Sequence, residues 1–251
     1  MKEHPILFNS EMVLAILEGR KTQTRRIIKP QPQLYRFGDN HESLSFVSPA
    51  TIPGYSAVGV DRVMETAEYL KCPFGKDGDR LWVREKFRYY NWLEECACYD
   101  DCNCSRQDGK PIYYADSFDN ESKWKPSIRM PRKASRINLI IDEIRVERLQ
   151  DITPEDCESE GITLTDGELK SCNGASKYRP KFRNIWNSIY GQWQGIYKRI
   201  DGKRQVVGFE RYPWAEEDTP PKPAKALKLN LPCAVIANPW LWVIKFHKEG
   251  Q

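Results

Sequence analysis

Apolar residues in this chain come in short runs cut apart by proline, glycine and charge, and that pattern restricts the fold more than any other feature. Residues 5–8, 27–28, 80–87, 137–146, 234–236 and 240–246 read as strands, rich in β-branched and aromatic side chains and bounded by turn formers. Helical signals are fewer. Asn9 or Ser10 caps a helix with Glu11 in its first turn, Met12, Val13, Ile16 and Leu17 on its apolar face and Gly19 just past its end. Thr153-Pro154-Glu155-Asp156 starts a second one that Gly161 ends. A third runs over about 179–190, with Phe182, Ile185, Trp186 and Ile189 on one face. Helices do not alternate with strands as a doubly wound parallel sheet requires, so the expected class is mixed α/β and β-rich, a barrel-like sheet with peripheral helices. One domain is expected over 1–251, interrupted by a Cys-rich insertion at about 91–126 and a Pro/Lys-rich one at about 192–232.

Composition narrows the function. Apolar residues make up 40% of the 251, enough for a buried core and too many for a disordered chain. The formal net charge of +4 does not by itself mark a nucleic-acid binder; the placement of the charges has to carry such a reading. No apolar run approaches 18 residues, so no membrane span or membrane partner is expected. The opening segment mixes charge with a short apolar patch and lacks a signal-peptide apolar region, which points to the cytoplasm. The phosphate-loop, dinucleotide, nucleophile-elbow and zinc-helix motifs are all missing, and three histidines leave little for His-centred catalysis.

Four of the eight cysteines form Cys96-Ala-Cys98-Tyr-Asp-Asp-Cys102-Asn-Cys104. Four thiolates this close suit one tetrahedral structural zinc, though C-x-C spacing is tighter than the usual C-x2-C knuckle, and a metal-free loop is the competing reading. No other cofactor is required by the sequence.

Two further stretches carry chemistry. Gly19-Arg20-Lys21-Thr22-Gln23-Thr24-Arg25-Arg26 is strongly basic, and its plain reading is a helix cap followed by a charged edge strand. In residues 80–87, Glu85 falls in line with Leu81 and Val83 and is therefore expected to face inward, where a carboxylate needs a partner or a task. Its bland partner would be Arg26 or Arg84. Lys123, Lys125, Arg129, Arg132, Lys133 and Arg136 then bring six cations into fourteen residues without an acid, a solvated face or a phosphate-binding one.

The Gly19–Arg26 stretch matches the G-x-K-x-x-T-x-R signature of ASCH domains, relatives of the PUA-like RNA-binding pseudobarrels. Gly78-Asp79-Arg80-Leu81-Trp82-Val83-Arg84-Glu85 resembles their second block, and Asn238-Pro239-Trp240-Leu241-Trp242-Val243-Ile244 their closing strand. The wording of these blocks is similar to the larger ASCH proteins of bacteriophages and prophages, and they cover about half the chain, leaving both insertions outside the pattern. The resemblance implies a PUA-like pseudo-β-barrel that recognises a nucleoside, RNA or DNA. It also implies amidohydrolysis of N4-acetylcytidine, as in small bacterial ASCH proteins, by Lys21, Thr24 and Glu85. The alternative is a non-catalytic module that reads RNA or modified DNA.

In the hydrolytic reading Thr24 is nucleophile or water positioner, Lys21 base or oxyanion cation, and Glu85 proton handler. Lys21 acts as a base only as neutral amine, and poising it near neutrality costs about 4 kcal/mol. Arg26, Arg25, Arg84, Lys123, Arg129, Arg132 and Lys133 are the expected substrate or nucleic-acid contacts. Residues three apart on a regular strand face opposite ways, so the reading requires a turn or bulge around 19–22, which Gly19 permits.

Overall fold

A computed structural model describes residues 1–29, 31–37, 41–47, 72–91, 108–165, 177–215 and 221–250, with the backbone alone over 33–37 and 41–47. In chain order the elements are β1 (Glu3–Leu7), α1 (Ser10–Leu17), β2 (Gln23–Ile27), β3 (Gln33–Phe37), β4 (His41–Val47), β5 (Arg80–Arg84), β6 (Phe87–Tyr89) and β7 (Pro111–Tyr113). There follow α2 (Tyr114–Ser117), β8 (Asn138–Arg148), α3 (Pro154–Ser159), α4 (Tyr178–Ile189), β9 (Gln194–Ile200), β10 (Lys203–Arg211), α5 (Ala224–Lys228), β11 (Cys233–Val235) and β12 (Trp240–Lys248). The protein is mixed α/β and strand-rich, as its sequence implies, and its sheets are open: none closes into a barrel among the described residues. The largest has the order β1-β5-β8-β12-β2. No described helix is long and apolar enough to cross a membrane.

The chain divides into two compact units, and the boundaries between them fall within β8 and β12. The first comprises Met1–Gln23, Cys72–Ile144 and Ile244–Gln251. Here β1 lies parallel to β5, Glu3 abreast of Arg80 and Leu7 of Arg84, and β5 runs antiparallel to β8 with Leu81 opposite Leu139. Leu81, Val83, Leu139, Ile141, Ile6 and Phe246 are buried, so alternate positions of these strands supply the core. Asn9 caps α1 by accepting the Met12 N–H at 2.8 Å, which decides between the two residues the sequence offered. The helix buries Val13, Ala15 and Ile16 and ends in a Schellman turn: Gly19 donates to Ile16 O and Arg20 to Ala15 O. Gly19 sits at φ +74°, the left-handed backbone that a residue without Cβ adopts freely.

The second unit comprises Thr24–Lys71 and Arg145–Val243. Its core gathers Leu149, Ile152, Cys157, Phe182, Trp186, Trp214 and Leu241. The Thr153 hydroxyl accepts the Asp156 N–H while the Asp156 carboxylate accepts the Thr153 N–H, a complete capping box with Pro154 in the first turn of α3. In α4, Phe182 and Trp186 carry the buried stripe, whereas Ile185 and Ile189 of the expected apolar face stand exposed. The stripe is narrower than the sequence implied because the two aromatic rings, four residues apart, already fill the contact with Trp214 and Tyr190.

Candidate active site

The Schellman turn positions Lys21. After Gly19 the chain folds back, and the Lys21 N–H donates to Ala15 O at 2.9 Å. Its side chain is only 2% exposed, with Nζ 5.9 Å from the centroid of the Phe8 ring. Phe8 extends the β1–β5 pairing by one residue, donating to Arg84 O at 3.2 Å, which carries the register on to the level of Glu85. The turn that the sequence demanded before the strand is therefore present, and it brings Lys21 to the Phe8 end of β1, the end of β5 at which Glu85 lies.

Glu85 faces inward, 1% exposed, in line with Leu81 and Val83. Arg136, the residue before the strand-like run that becomes β8, holds both of its oxygens: Nε donates to Oε1 at 3.0 Å and Nη2 to Oε2 at 3.1 Å. Arg136 also donates through Nη1 to Asp116 Oδ2 at 2.8 Å and lies over the Tyr113 ring, 3.9 Å from its centroid. Burial pushes the Glu85 carboxyl above the usual carboxylate range, against the opposing pull of Arg136. For Arg136 burial works against the charge, yet the bonds to Glu85 and Asp116 prevail and raise its pKa. A carboxylate has about four acceptor sites on its two oxygens, so the two bonds from Arg136 leave room on each oxygen for a proton or a donor. Such a group can take and return a proton while staying fixed in place.

The partners that make Glu85 usable are Arg136, Asp116 and Tyr113. Sequence reasoning assigned Glu85 to Arg26 or Arg84 and left Arg136 in a surface run. The antiparallel pairing of β5 with β8 is the signal that finds it, because Leu81 opposite Leu139 puts residue 136 beside residues 84 and 85.

The other expected site residues lie on several elements of the two units. Thr24 is buried in β2 of the second unit. Arg25, in the same unit, gives its guanidinium to Glu160 at 3.2 Å, Glu147 at 3.0 Å and Asp156 at 2.9 Å, an internal ion cluster joined by Arg145. Arg26 is half-buried on β2. Arg84 donates to Ile128 O and lies against Trp82. Arg132 is clasped by Glu3 at 2.9 and 3.0 Å and reaches Asn138 Oδ1. Lys123, Arg129 and Lys133 are exposed. Cys96, Cys98, Cys102 and Cys104 lie outside the described residues, among which no group of three or more metal-ligating side chains occurs.

Compared with protein-family models, with curated proteins and with solved structures, the chain matches none. The functional reading therefore stands on the residues and their geometry.

Proposed function

We propose that the protein is an ASCH-type, PUA-like cytoplasmic hydrolase that recognises a nucleoside and deacylates N4-acylated cytidine, with Lys21 and Glu85 at the reacting centre. The observation that supports this reading is the burial of both groups towards the Phe8 end of the β1–β5 pair, Lys21 with Nζ 5.9 Å from the Phe8 ring and Glu85 one residue beyond Arg84, to whose carbonyl Phe8 donates. An ammonium and a carboxylate are each costly to bury, and Arg136 offsets that cost for Glu85.

The chemistry runs as amide hydrolysis. Water adds to the acyl carbon as Glu85 accepts its proton, Lys21 as a cation steadies the oxyanion, and the same proton passes to the departing N4 nitrogen. Acetate and cytidine result. Arg136 holds the Glu85 carboxylate in one orientation throughout, and the raised pKa of Glu85 brings it nearer the range in which a group both takes and gives protons. Thr24, which the ASCH resemblance makes nucleophile or water positioner, is tested by its own substitution. Incubation with N4-acetylcytidine should release acetate, and Lys21→Ala, Glu85→Gln and Thr24→Ala should each lower release by about 100-fold or more while the protein stays folded. A folded wild-type protein that leaves N4-acetylcytidine intact overturns the reading.

A second reading, a non-catalytic RNA- or DNA-binding module, draws on Lys123, Arg129 and Lys133. These are exposed and, among the described residues, have no carboxylate partner, unlike Arg132 and Arg136 in the same run.

A further inference from the structure

The sequence gives residues 192–232 no role beyond an insertion, yet they contain an ordered β-hairpin. β9 and β10 pair antiparallel, Lys203 opposite Ile200 and Arg204 opposite Arg199, around a two-residue turn of Asp201 (φ +49°) and Gly202 (φ +73°). Asp-Gly with both φ angles positive is the turn whose twist matches that of a hairpin. β11 pairs with β10 only at Phe209–Arg211, so among the described residues no strand flanks the tip.

The tip, residues 197–204, carries Lys198, Arg199, Lys203 and Arg204 against a single acid, Asp201, and all five are exposed. Lysine and arginine on an open edge deter unwanted pairing, but that purpose is served equally well by a carboxylate opposite each cation. Instead Arg199 faces Arg204 directly, an arrangement that destabilises a hairpin, and neither is paired with an acid among the described residues. Alternation puts Tyr197 on the same face as this arginine pair. Its ring is 51% exposed, with the Arg204 guanidinium 4.1 Å from its centroid. The underside of the ring rests on Gly195, where a Cβ would come within 3.0 Å of Tyr197 Cε2. The ring is thus supported from below and flanked by cations, with half of its surface in solvent.

We propose that this hairpin tip binds single-stranded nucleic acid, a base stacking on Tyr197 while Lys198, Arg199, Lys203 and Arg204 contact phosphates. A polyanion relieves the Arg199–Arg204 repulsion, and an aromatic ring beside cations is how sequence-tolerant strand binding is built. The site is a different set of residues from Lys21 and Glu85, in the other unit, and stands whether or not those groups hydrolyse anything.

The test is fluorescence anisotropy of the full chain with labelled oligo(dT), oligo(U) and a duplex, over a salt series, beside co-sedimentation with phosphatidylserine vesicles. The strands should bind at low salt and be released as salt rises. Arg199→Gln with Arg204→Gln should weaken binding by about tenfold or more and flatten the salt slope by about 1.4, each lost phosphate contact removing about 0.7. Tyr197→Leu should weaken it roughly tenfold with the slope unchanged. Lys198→Gln with Lys203→Gln repeats the charge test on the opposite face. Strands that fail to bind at low salt, variants that bind as tightly as wild type, or capture by duplex or vesicles in place of single strands would each overturn the proposal.

Discussion

Arg136 donates to both oxygens of Glu85, at 3.0 and 3.1 Å, and its remaining nitrogen reaches Asp116 at 2.8 Å. The carboxylate is enclosed while the arginine side chain stays about a quarter exposed, so removing either partner has unequal consequences.

Arg136→Met strands a buried carboxylate, and unfolding in urea should show a loss of roughly 3 kcal/mol at neutral pH. Glu85→Gln, which removes the buried charge and keeps the shape, should cost clearly less. A similar loss for both would contradict a one-sided burial.

The raised Glu85 pKa fixes the sign of a pH effect. In the interval between its unfolded and folded values the native state binds more protons, so stability from this group is greatest at low pH and falls as pH rises through the folded value. Wild-type stability relative to Glu85→Gln should therefore decline from about pH 4 upward. Glu3 runs the other way. Arg132 and Arg80 hold it down at about 2, so its contribution is present above the ordinary glutamate range and lost only in strong acid. Urea titrations of the two proteins across pH separate these contributions, and a difference that grows with rising pH would refute the assignment.

Arg25 serves its own unit. Arg25→Met leaves Glu147, Asp156 and Glu160 crowded without their common cation and should destabilise the protein by about 3–5 kcal/mol. Thr153→Ala removes the cap above the same cluster and should cost about 1 kcal/mol. Thermal melts of the two variants check both figures, and a mild effect of Arg25→Met would return that arginine to the list of ligand contacts.

Gly19→Ala isolates backbone strain. Nothing lies within 4 Å of the Cβ it would add, so the cost comes from φ +74° alone and should be about 1–2 kcal/mol. A larger drop in hydrolysis than in stability would show that the turn also sets the position of Lys21.

The exposed cations of 123–133 can be separated from the hairpin. Lys123→Gln with Arg129→Gln should leave oligonucleotide binding unchanged if the hairpin tip carries it, and should weaken binding with a flatter salt slope if the binding-module reading is correct.

Local chemistry made much of the fold legible in advance. Asn9, Gly19, Thr153 and Asp156 form the caps their residue types imply, because caps depend on neighbours within a few residues. The inward face of Glu85 also followed, since alternation along β5 depends only on the strand. Partners distant in sequence were hidden. Arg136 reaches Glu85 through the β5–β8 pairing and meets Asp116 from the β7–α2 corner, and Arg25 meets acids of β8 and α3, none of which spacing reveals. The hairpin at 194–211 is legible in sequence only through its Asp201-Gly202 turn, because the charged runs on either side of it carry little of the apolar alternation by which strands are recognised.

The central claim is that Lys21 and Glu85 act on one bond, and a double-mutant cycle on N4-acetylcytidine hydrolysis tests it most directly. Lys21→Ala and Glu85→Gln should each lower acetate release by about 100-fold or more, and the double variant should be scarcely slower than either, because groups acting as a unit are lost together. Undiminished release from either single variant, or losses that simply multiply in the double, would contradict it.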